Sequence, residues 1–169
     1  MELLIGCGHR REKLIGLPDN QSWKKLVTLD NNPDTKPDLV HDLNQFPYPF
    51  EDNTFDEIHA YEVLEHCGKQ GDAEYFFNQF NEFYRILKPS GYICASVPSI
   101  SSRWVWGDPS HTRVIQREQL FFLDSNFYAN LGTNASSDFR RYLKCDFQII
   151  LDQEDKECFA FVLKANKNG

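Results

Sequence analysis

The stretch LLIGCG, residues 3–8, places a glycine on each side of Cys7 directly after a short apolar run. The run predicts a buried β-strand over residues 2–5. Glycine allows the backbone to turn sharply and to approach a ligand closely. Because ligands of open parallel sheets bind at the carboxyl ends of the strands, the first strand is expected to lead into a binding site. Its candidate residues are Gly6, Cys7 and Gly8.

The segments that follow alternate strands with crossovers. Apolar, β-branched and aromatic runs predict six more strands, at residues 26–30, 38–42, 54–60, 91–98, 145–151 and 158–165. Residues 72–87 carry apolar side chains at intervals of three and four, which predicts a helix, and residues 116–123 favour a second one. Gly16 and Pro18 weaken the helical pattern between the first two strands.

This order of elements predicts an α/β fold with a doubly wound, mostly parallel, seven-stranded sheet and helices on both faces. The last two strands flank the polar turn DQEDKE and are expected to form a hairpin that adds one antiparallel strand. A length of 169 residues suits one domain over residues 1–169.

Composition limits the classes of function. A net charge of -7 argues against a broad nucleic-acid surface, and no apolar run approaches the ~20 residues of a membrane helix. Nothing resembles a signal peptide, and the five scattered cysteines favour free thiols in a reducing cytoplasm. Pairs such as Cys7 and His9 lack the spacing of a structural zinc site, so no metal is predicted.

Acidic residues end the next two strands. Asp30 stands about twenty positions after Gly8, where a carboxylate can accept hydrogen bonds from both hydroxyls of a ribose. Alternatively, Asp30 begins the turn that leads to Pro33. Asp42 ends the third strand and can accept a hydrogen bond from an adenine amino group, while Leu43 can pack on the ring. These residues predict a nucleoside site.

Several segments together resemble the class I S-adenosylmethionine-dependent methyltransferases, in the branch of small enzymes similar to methyltransferase type 11. The segments are LLIGCG (3–8), VTLD (27–30), DLNQFPYPFEDNTFDEIHAYEVLEH (42–66), RILKPSGYICASVP (85–98) and WGDPSHTRVIQREQLFFL (106–123). The resemblance implies a Rossmann-like fold, S-adenosylmethionine as cofactor, and methyl transfer to an oxygen or nitrogen of a small-molecule acceptor.

The resemblance also implies roles for individual residues. The glycine loop would pass under the methionyl part of the cofactor, and the ends of strands two to four would hold its ribose, its adenine and its sulfonium end. In that order along the chain, the implied cofactor residues are Gly6, Cys7, Gly8, Asp30, Asn31, Asp42, Leu43, Ala60 and Tyr61.

The loop SSRWVWGDPSHTRV, residues 101–114, is the candidate acceptor site because it follows the fifth strand and would reach over the pocket. Trp104 and Trp106 can stack on a planar or sugar acceptor, and Arg113 can bind a phosphate or carboxylate. The alternative is a packed connecting loop whose tryptophans fill the core.

Methyl transfer from a sulfonium is an in-line displacement, so positioning supplies much of the acceleration. A base is needed only where the acceptor must lose a proton, and histidine suits that role near pH 7. The candidate bases are His66, His111 and Glu65. Each of them can instead serve as a surface or hydrogen-bonding residue.

Three other functions remain open. Few residues precede the first strand, where the family usually covers the cofactor, and this favours a nucleotide-binding protein of the same fold with weak or no catalysis. A nicotinamide-dependent oxidoreductase shares the glycine loop, but Arg11 stands where G-x-G-x-x-G requires its last glycine. Nucleic-acid modification is disfavoured by the acidic charge balance.

Overall fold

Seven strands form one sheet in the computed structural model, which describes residues 1–130 and 137–167. In chain order they are β1 (Glu2–Ile5), β2 (Leu26–Asp30), β3 (Leu39–Val40), β4 (Phe55–Tyr61), β5 (Leu87–Pro98), β6 (Phe147–Glu154) and β7 (Cys158–Ala165). The spatial order is β3-β2-β1-β4-β5-β7-β6, and β7 runs antiparallel to both of its neighbours. The predicted α/β sheet with an antiparallel C-terminal hairpin is confirmed.

Within the described residues, three α-helices connect the strands: α1 (Ala73–Ile86), α2 (Trp104–Gly107) and α3 (Arg117–Phe121). Helix α1 begins where the Asp72 side chain accepts a hydrogen bond from the backbone N–H of Tyr75, and it ends as the chain turns into β5. The helix predicted over residues 72–87 is therefore confirmed. The one predicted over 116–123 is shorter than expected.

One face of the sheet carries the apolar core. Alternate residues of β1, β4 and β5 point to this face, where α1 and α3 pack against them. The phenylalanines of α1 at the helical interval, Phe77, Phe80 and Phe83, are fully buried there. Burial of apolar surface between α1 and the sheet thus stabilises the fold.

The crossover between β1 and β2 agrees with the weak helical pattern of the sequence there. Residues 6–25, all of which the structure describes, contain no helix, so the first crossover is irregular along its whole length. Gly16, Pro18 and the surrounding polar residues account for this, because they break the apolar period a packed helix needs. Polar side chains of this segment lie against polar side chains of the sheet instead.

These side chains form a buried ion cluster. Glu2 of β1 is the register partner of Glu57 of β4, and both are buried. The Lys13 Nζ lies 2.6 Å from Glu57 Oε2 and 3.6 Å from Glu2 Oε1. The Asn20 side chain donates to both carboxylates, and His59 Nε2 lies 2.8 Å from Glu57 Oε2. Charge pairing and hydrogen bonds therefore hold this crossover against β1 and β4.

The ion cluster predicts an acid-dependent loss of stability. Burial alone would raise the pKa of Glu57, but hydrogen bonds from His59, Lys13 and Asn20 outweigh it and lower the pKa from 4.5 to about 2. Since the folded-state pKa is depressed, this stabilisation is complete above the unfolded pKa and is lost as pH falls from about 4.5 toward 2. At pH 7, Glu57→Gln should therefore be less stable than the wild type, and urea unfolding between pH 6 and pH 3 should show the gap narrowing. A gap that stays constant over that range would contradict this assignment.

Candidate functional site

The carboxyl ends of β1, β2 and β3 border a cavity of about 440 Å³, here called the Asp30 groove. Five of the residues predicted to hold the cofactor line it: Gly6, Asp30, Asn31, Asp42 and Leu43. The two carboxylates on which the nucleoside prediction depended thus share one cavity.

Asp30 has two roles in this groove. Its Oδ2 accepts a hydrogen bond from the Gly8 N–H at 2.8 Å, and its Oδ1 accepts one from the Asn32 N–H at 2.9 Å. The residue therefore anchors the glycine loop and begins the following turn, as the alternative interpretation expected. Each carboxylate oxygen has a second lone pair, so both remain able to accept a ligand hydroxyl.

Asp42 and Leu43 border the other side of the groove. Asp42 Oδ1 accepts hydrogen bonds from the backbone and side-chain nitrogens of Asn44, both at 2.9 Å. The Leu43 carbonyl accepts from the hydroxyls of Tyr75 and Tyr48, at 3.0 and 3.2 Å. These bonds hold a carboxylate and an apolar side chain side by side, a combination that suits the amino edge and the face of a purine.

The glycine loop adopts a left-handed backbone at both glycines. Gly6 has φ +58° and Gly8 has φ +49°. The Arg11 guanidinium donates to the carbonyls of Gly8 and Thr35, at 2.7 and 2.9 Å. Arg11 thus fixes the loop from the position where a dinucleotide-binding motif would have glycine.

Substitution at Gly6 is expected to cost more than at Gly8. A Cβ at Gly6 would lie 2.2 Å from Val63 Cγ2, whereas a Cβ at Gly8 would have no atom within 4 Å. Both positions carry the left-handed strain, of about 1 kcal/mol, but only Gly6→Ala adds a steric clash. Chemical denaturation should give a loss of roughly 2–3 kcal/mol for Gly6→Ala. Gly8→Ala is the matched control, and equal losses would contradict the role given to Val63.

A second cavity, of about 430 Å³, lies on the far side of the glycine loop and is here called the Gly8 pocket. Cys7, Gly8 and Tyr61 line it, as do Gly6 and Glu62, which also line the Asp30 groove. The two cavities are therefore neighbours across Gly6 and Glu62. The Tyr61 hydroxyl accepts hydrogen bonds from the N–H groups of Leu14 and Ile15, which positions the pocket wall.

Ala60 requires a correction. Its side chain is fully buried in the core and lines neither cavity. The residue that borders the cavities is Glu62, immediately after β4, with φ +52°. Ser96 Oγ donates to Glu62 Oε1 at 2.9 Å, and burial raises the pKa of Glu62 against that hydrogen bond. Extending the predicted fourth strand by one residue would have shown Glu62 at its exit.

A third cavity, of about 430 Å³, lies between the loops that follow β4 and β5 and is here called the Trp104 pocket. Trp104 is 52% exposed at its edge, and His66 lines both this pocket and the Asp30 groove. Trp106 is 66% exposed and does not line the pocket. Neither tryptophan fills the core, so the packed-loop alternative is wrong for both residues.

Arg113 also lies elsewhere than predicted. It is buried, its Nε donates to the Leu64 carbonyl at 2.9 Å, and its Nη2 donates to the Gln79 side chain. The guanidinium also lies 5.3 Å from the centre of the Tyr75 ring. Arg113 thus ties the turn after β4 to helix α1, and the structure does not bring it to the acceptor side.

The three candidate bases converge in the Trp104 pocket. Glu65 Oε1 lies 3.8 Å from His66 Nε2 and 3.9 Å from His111 Nε2. Asp108 Oδ2 lies 3.9 Å from His111 Nε2 on its other side. Burial is the main cause that raises the pKa of Glu65 to about 8, with a smaller contribution from the negative charge of Glu62. The pocket therefore contains two imidazoles and a carboxylate within reach of one small group.

Residues 4–95, more than half of the chain, match the model of the methyltransferase domain family. The chain therefore belongs to the methyltransferase domain family. This match confirms the family that the sequence motifs resembled and its methyltransferase activity.

Solved structures share the fold at low sequence identity. A SAM-dependent methyltransferase from Archaeoglobus fulgidus is 17% identical with a TM-score of 0.56, covering 96% of this chain and 85% of its own. A SAM-dependent methyltransferase from Aquifex aeolicus is 15% identical with a TM-score of 0.55, covering 96% and 80%. The N-methyltransferase NodS from Bradyrhizobium japonicum, solved with S-adenosyl-L-homocysteine, is 16% identical with a TM-score of 0.55, covering 98% and 78%.

These likenesses confirm the predicted Rossmann-like methyltransferase fold, and with the family they support S-adenosylmethionine as the cofactor. Comparison with curated protein sequences gives no match. Among residues 1–130 and 137–167, no helix combines the length and apolar content that a membrane crossing requires.

Proposed function

We propose that this methyltransferase transfers a methyl group from S-adenosylmethionine to an oxygen or nitrogen atom of a small molecule held in the Trp104 pocket. The observation that carries the proposal is that Asp30 and Asp42 line one groove, which meets the other two cavities at Glu62. Under this proposal, the three cavities hold a nucleoside, a methionyl chain and an acceptor, and all three adjoin Glu62.

The cofactor is assigned to the first two cavities. Asp30 accepts hydrogen bonds from the ribose hydroxyls with Asn31 beside it, while Asp42 and Leu43 frame the adenine. The methionyl chain continues past Gly6 into the Gly8 pocket, and the methyl group faces the Trp104 pocket. Charged acceptors strengthen hydrogen bonds to a diol, so the ribose contact is the dominant polar interaction.

The chemical step is a displacement at the methyl carbon. A lone pair of the acceptor forms the new carbon–oxygen or carbon–nitrogen bond as the carbon–sulfur bond breaks, and its electron pair stays on sulfur in S-adenosylhomocysteine. A proton on the acceptor passes to His111 or His66 and then to solvent. Holding the three atoms in line supplies much of the acceleration.

Binding and transfer are tested separately. Calorimetry with S-adenosylhomocysteine measures the cofactor site. A screen of small-molecule acceptors with methyl-labelled S-adenosylmethionine measures transfer, and mass spectrometry of material that co-purifies with the chain narrows the choice of acceptors. Binding with transfer to an oxygen or nitrogen atom is the expected result. Binding without transfer to any acceptor would favour a nucleotide-binding protein of this fold, and absence of binding would reject both.

Trp104 should contribute to acceptor affinity. With an acceptor identified by the screen, Trp104→Ala should raise KM roughly 5- to 10-fold, because a stacking contact is worth about 1 kcal/mol. The Kd of S-adenosylhomocysteine should not change, since Trp104 lies outside the Asp30 groove and the Gly8 pocket. Trp106→Ala is the matched control, because that side chain lies outside the Trp104 pocket. Equal KM values for the two variants would contradict the acceptor assignment.

Two further expectations belong to this proposal. The single sheet supports one domain over residues 1–169. All five cysteines are free thiols, which supports a reducing compartment, the cytoplasm.

A further inference from the structure

Glu65 carries a buried carboxyl group beside the two candidate histidines. Its residue is 2% exposed, and neither carboxylate oxygen has a hydrogen-bond partner in the part of the chain that the structure describes. A buried carboxyl group in this condition is costly, because it loses its hydration and gains no hydrogen bond from the described residues in exchange. Backbone bonds hold it in place, since the Glu65 carbonyl accepts from the N–H groups of Thr112 and Arg113, at 2.9 and 3.3 Å.

The rings of the two histidines beside Glu65 are oriented by contacts at Nδ1, the nitrogen that faces away from the carboxyl group. His66 Nδ1 lies 3.1 Å from the Ser110 hydroxyl oxygen, and His111 Nδ1 lies 3.3 Å from the Val105 carbonyl oxygen. Each ring therefore uses Nδ1 for a protein contact and directs Nε2 to the Glu65 carboxylate. Metal-binding histidines show this division, in which a partner on one nitrogen fixes the ring so that the other nitrogen can bind.

The ligand atoms fit one ion. One atom from each of Glu65, His66 and His111 lies within 4.8 Å of the other two. Ligand atoms bound at about 2.1 Å lie roughly 3.0–3.5 Å from one another, so side-chain movements of up to about one ångström would close the site. Asp108 Oδ2 lies 3.9 Å from His111 Nε2, outside this group of three ligands.

We infer that Glu65, His66 and His111 bind a divalent transition-metal cation on the acceptor side of the cofactor site. Two imidazoles and one carboxylate favour a first-row transition ion such as Zn²⁺, Co²⁺ or Mn²⁺ over Mg²⁺ or Ca²⁺, which prefer oxygen ligands alone. Three protein ligands leave coordination positions open toward the Trp104 pocket. The pairs of His and Cys in the sequence did not predict this site, because its ligands come from two loops that are far apart in the chain.

A second group of possible ligands, next to the ion cluster of Lys13, is a weaker candidate for a metal site. Glu57, His59 and Cys94 also place ligand atoms within 4.8 Å of one another. However, the Glu57 carboxylate is already bonded to His59 and paired with Lys13. A cation there would have to displace these partners, whereas Glu65 has none to lose among the described residues.

The cation deepens the proposed function, on which this step of the inference rests. An acceptor hydroxyl that binds the open position becomes more acidic, because the positive charge stabilises the oxyanion. The proton leaves to solvent, and the oxygen lone pair then forms a carbon–oxygen bond as the carbon–sulfur bond of S-adenosylmethionine breaks onto sulfur. The histidines then act as ligands, and the acceptor class narrows to molecules with metal-binding oxygen atoms.

Cobalt binding to the chain of 169 residues tests the site without an acceptor. After treatment with a chelator, titration with Co²⁺ should give visible d–d absorption that saturates at one ion per chain. His111→Ala and Glu65→Gln should each weaken binding at least ~10-fold, the loss expected even for a partner behind a ligand. His9→Ala is the matched control, because His9 is exposed and lies outside the Trp104 pocket.

Several outcomes would overturn the inference. They are the absence of Co²⁺ binding below millimolar concentration, unchanged affinity in His111→Ala, and thiolate charge-transfer absorption that places the ion on a cysteine. Zn²⁺ should also raise the Tm of the wild type but not that of His111→Ala, which distinguishes a lost ligand from a damaged fold. S-adenosylhomocysteine calorimetry on the same proteins distinguishes the two proposals. A protein that binds Co²⁺ without S-adenosylhomocysteine would contradict the proposed function alone, and one that binds S-adenosylhomocysteine without Co²⁺ would contradict the metal site alone.

Discussion

Lys13→Met should lower the free energy of unfolding by about 3 kcal/mol, because removing one partner of a buried ion pair leaves its charge uncompensated. The Lys13 side chain is 2% exposed and lies against Glu2 and Glu57, which are also buried. Methionine matches the length of the lysine stem, so the expected loss arises from charge and not from a cavity. The two carboxylates would then face each other without a cation, and their hydrogen bonds with Asn20, His59 and the Lys24 N–H would remain.

Urea unfolding at pH 7 measures this loss. Lys24→Met is the matched control, since Lys24 is exposed and should change stability by less than about 0.5 kcal/mol. The double variant Lys13→Met, Glu57→Gln should recover part of the loss, because it removes one of the unpaired charges. If Lys13→Met lowers the free energy of unfolding by less than about 1 kcal/mol, the prediction is contradicted. Water or a rearrangement would then compensate the two carboxylates in place of Lys13.

Asp30→Ala should weaken the binding of S-adenosylhomocysteine at least ~100-fold. Two hydrogen bonds from a ribose to a charged acceptor are worth roughly 1.5–3 kcal/mol each, and the alanine removes both. It also frees the Gly8 N–H, so the loop beneath the methionyl chain loses its anchor. Both effects weaken the binding of S-adenosylhomocysteine.

Calorimetry with S-adenosylhomocysteine, together with thermal unfolding, separates binding from folding. Asp34→Ala is the matched control, because Asp34 is exposed in the turn Pro33–Thr35 that follows Asp30. It should bind as the wild type does. A Kd for Asp30→Ala within threefold of the wild type, in a folded protein, would remove the carboxylate from the proposed nucleoside site.

The strand ends could be predicted because they follow directly from local composition. An apolar run that stops at an acidic residue places that residue near the sheet edge, and Asp30, which ends β2, and Asp42, two residues after β3, both line the same groove. The strand limits were less accurate. Strand β6 continues to Glu154, beyond the predicted residue 151, because its polar residues still pair with the backbone of β7, which does not depend on side-chain polarity.

Long-range partners explain what the sequence could not show. Arg113 looked like an exposed anion ligand, but Leu64, Gln79 and Tyr75 enclose its guanidinium, and they come from distant segments. The ion cluster around Lys13 was not predicted for the same reason, since its carboxylates lie on β1 and β4. Local periodicity contains no information about which distant side chain will meet a given charge.

Glu62 borders all three cavities from a single left-handed backbone position. Its carboxylate cannot shift toward one occupant without altering the environment offered to the other two. With cofactor and acceptor in these cavities, as proposed, a shift of Glu62 on binding one ligand would change the affinity for the other, and the factor would be the same in both directions.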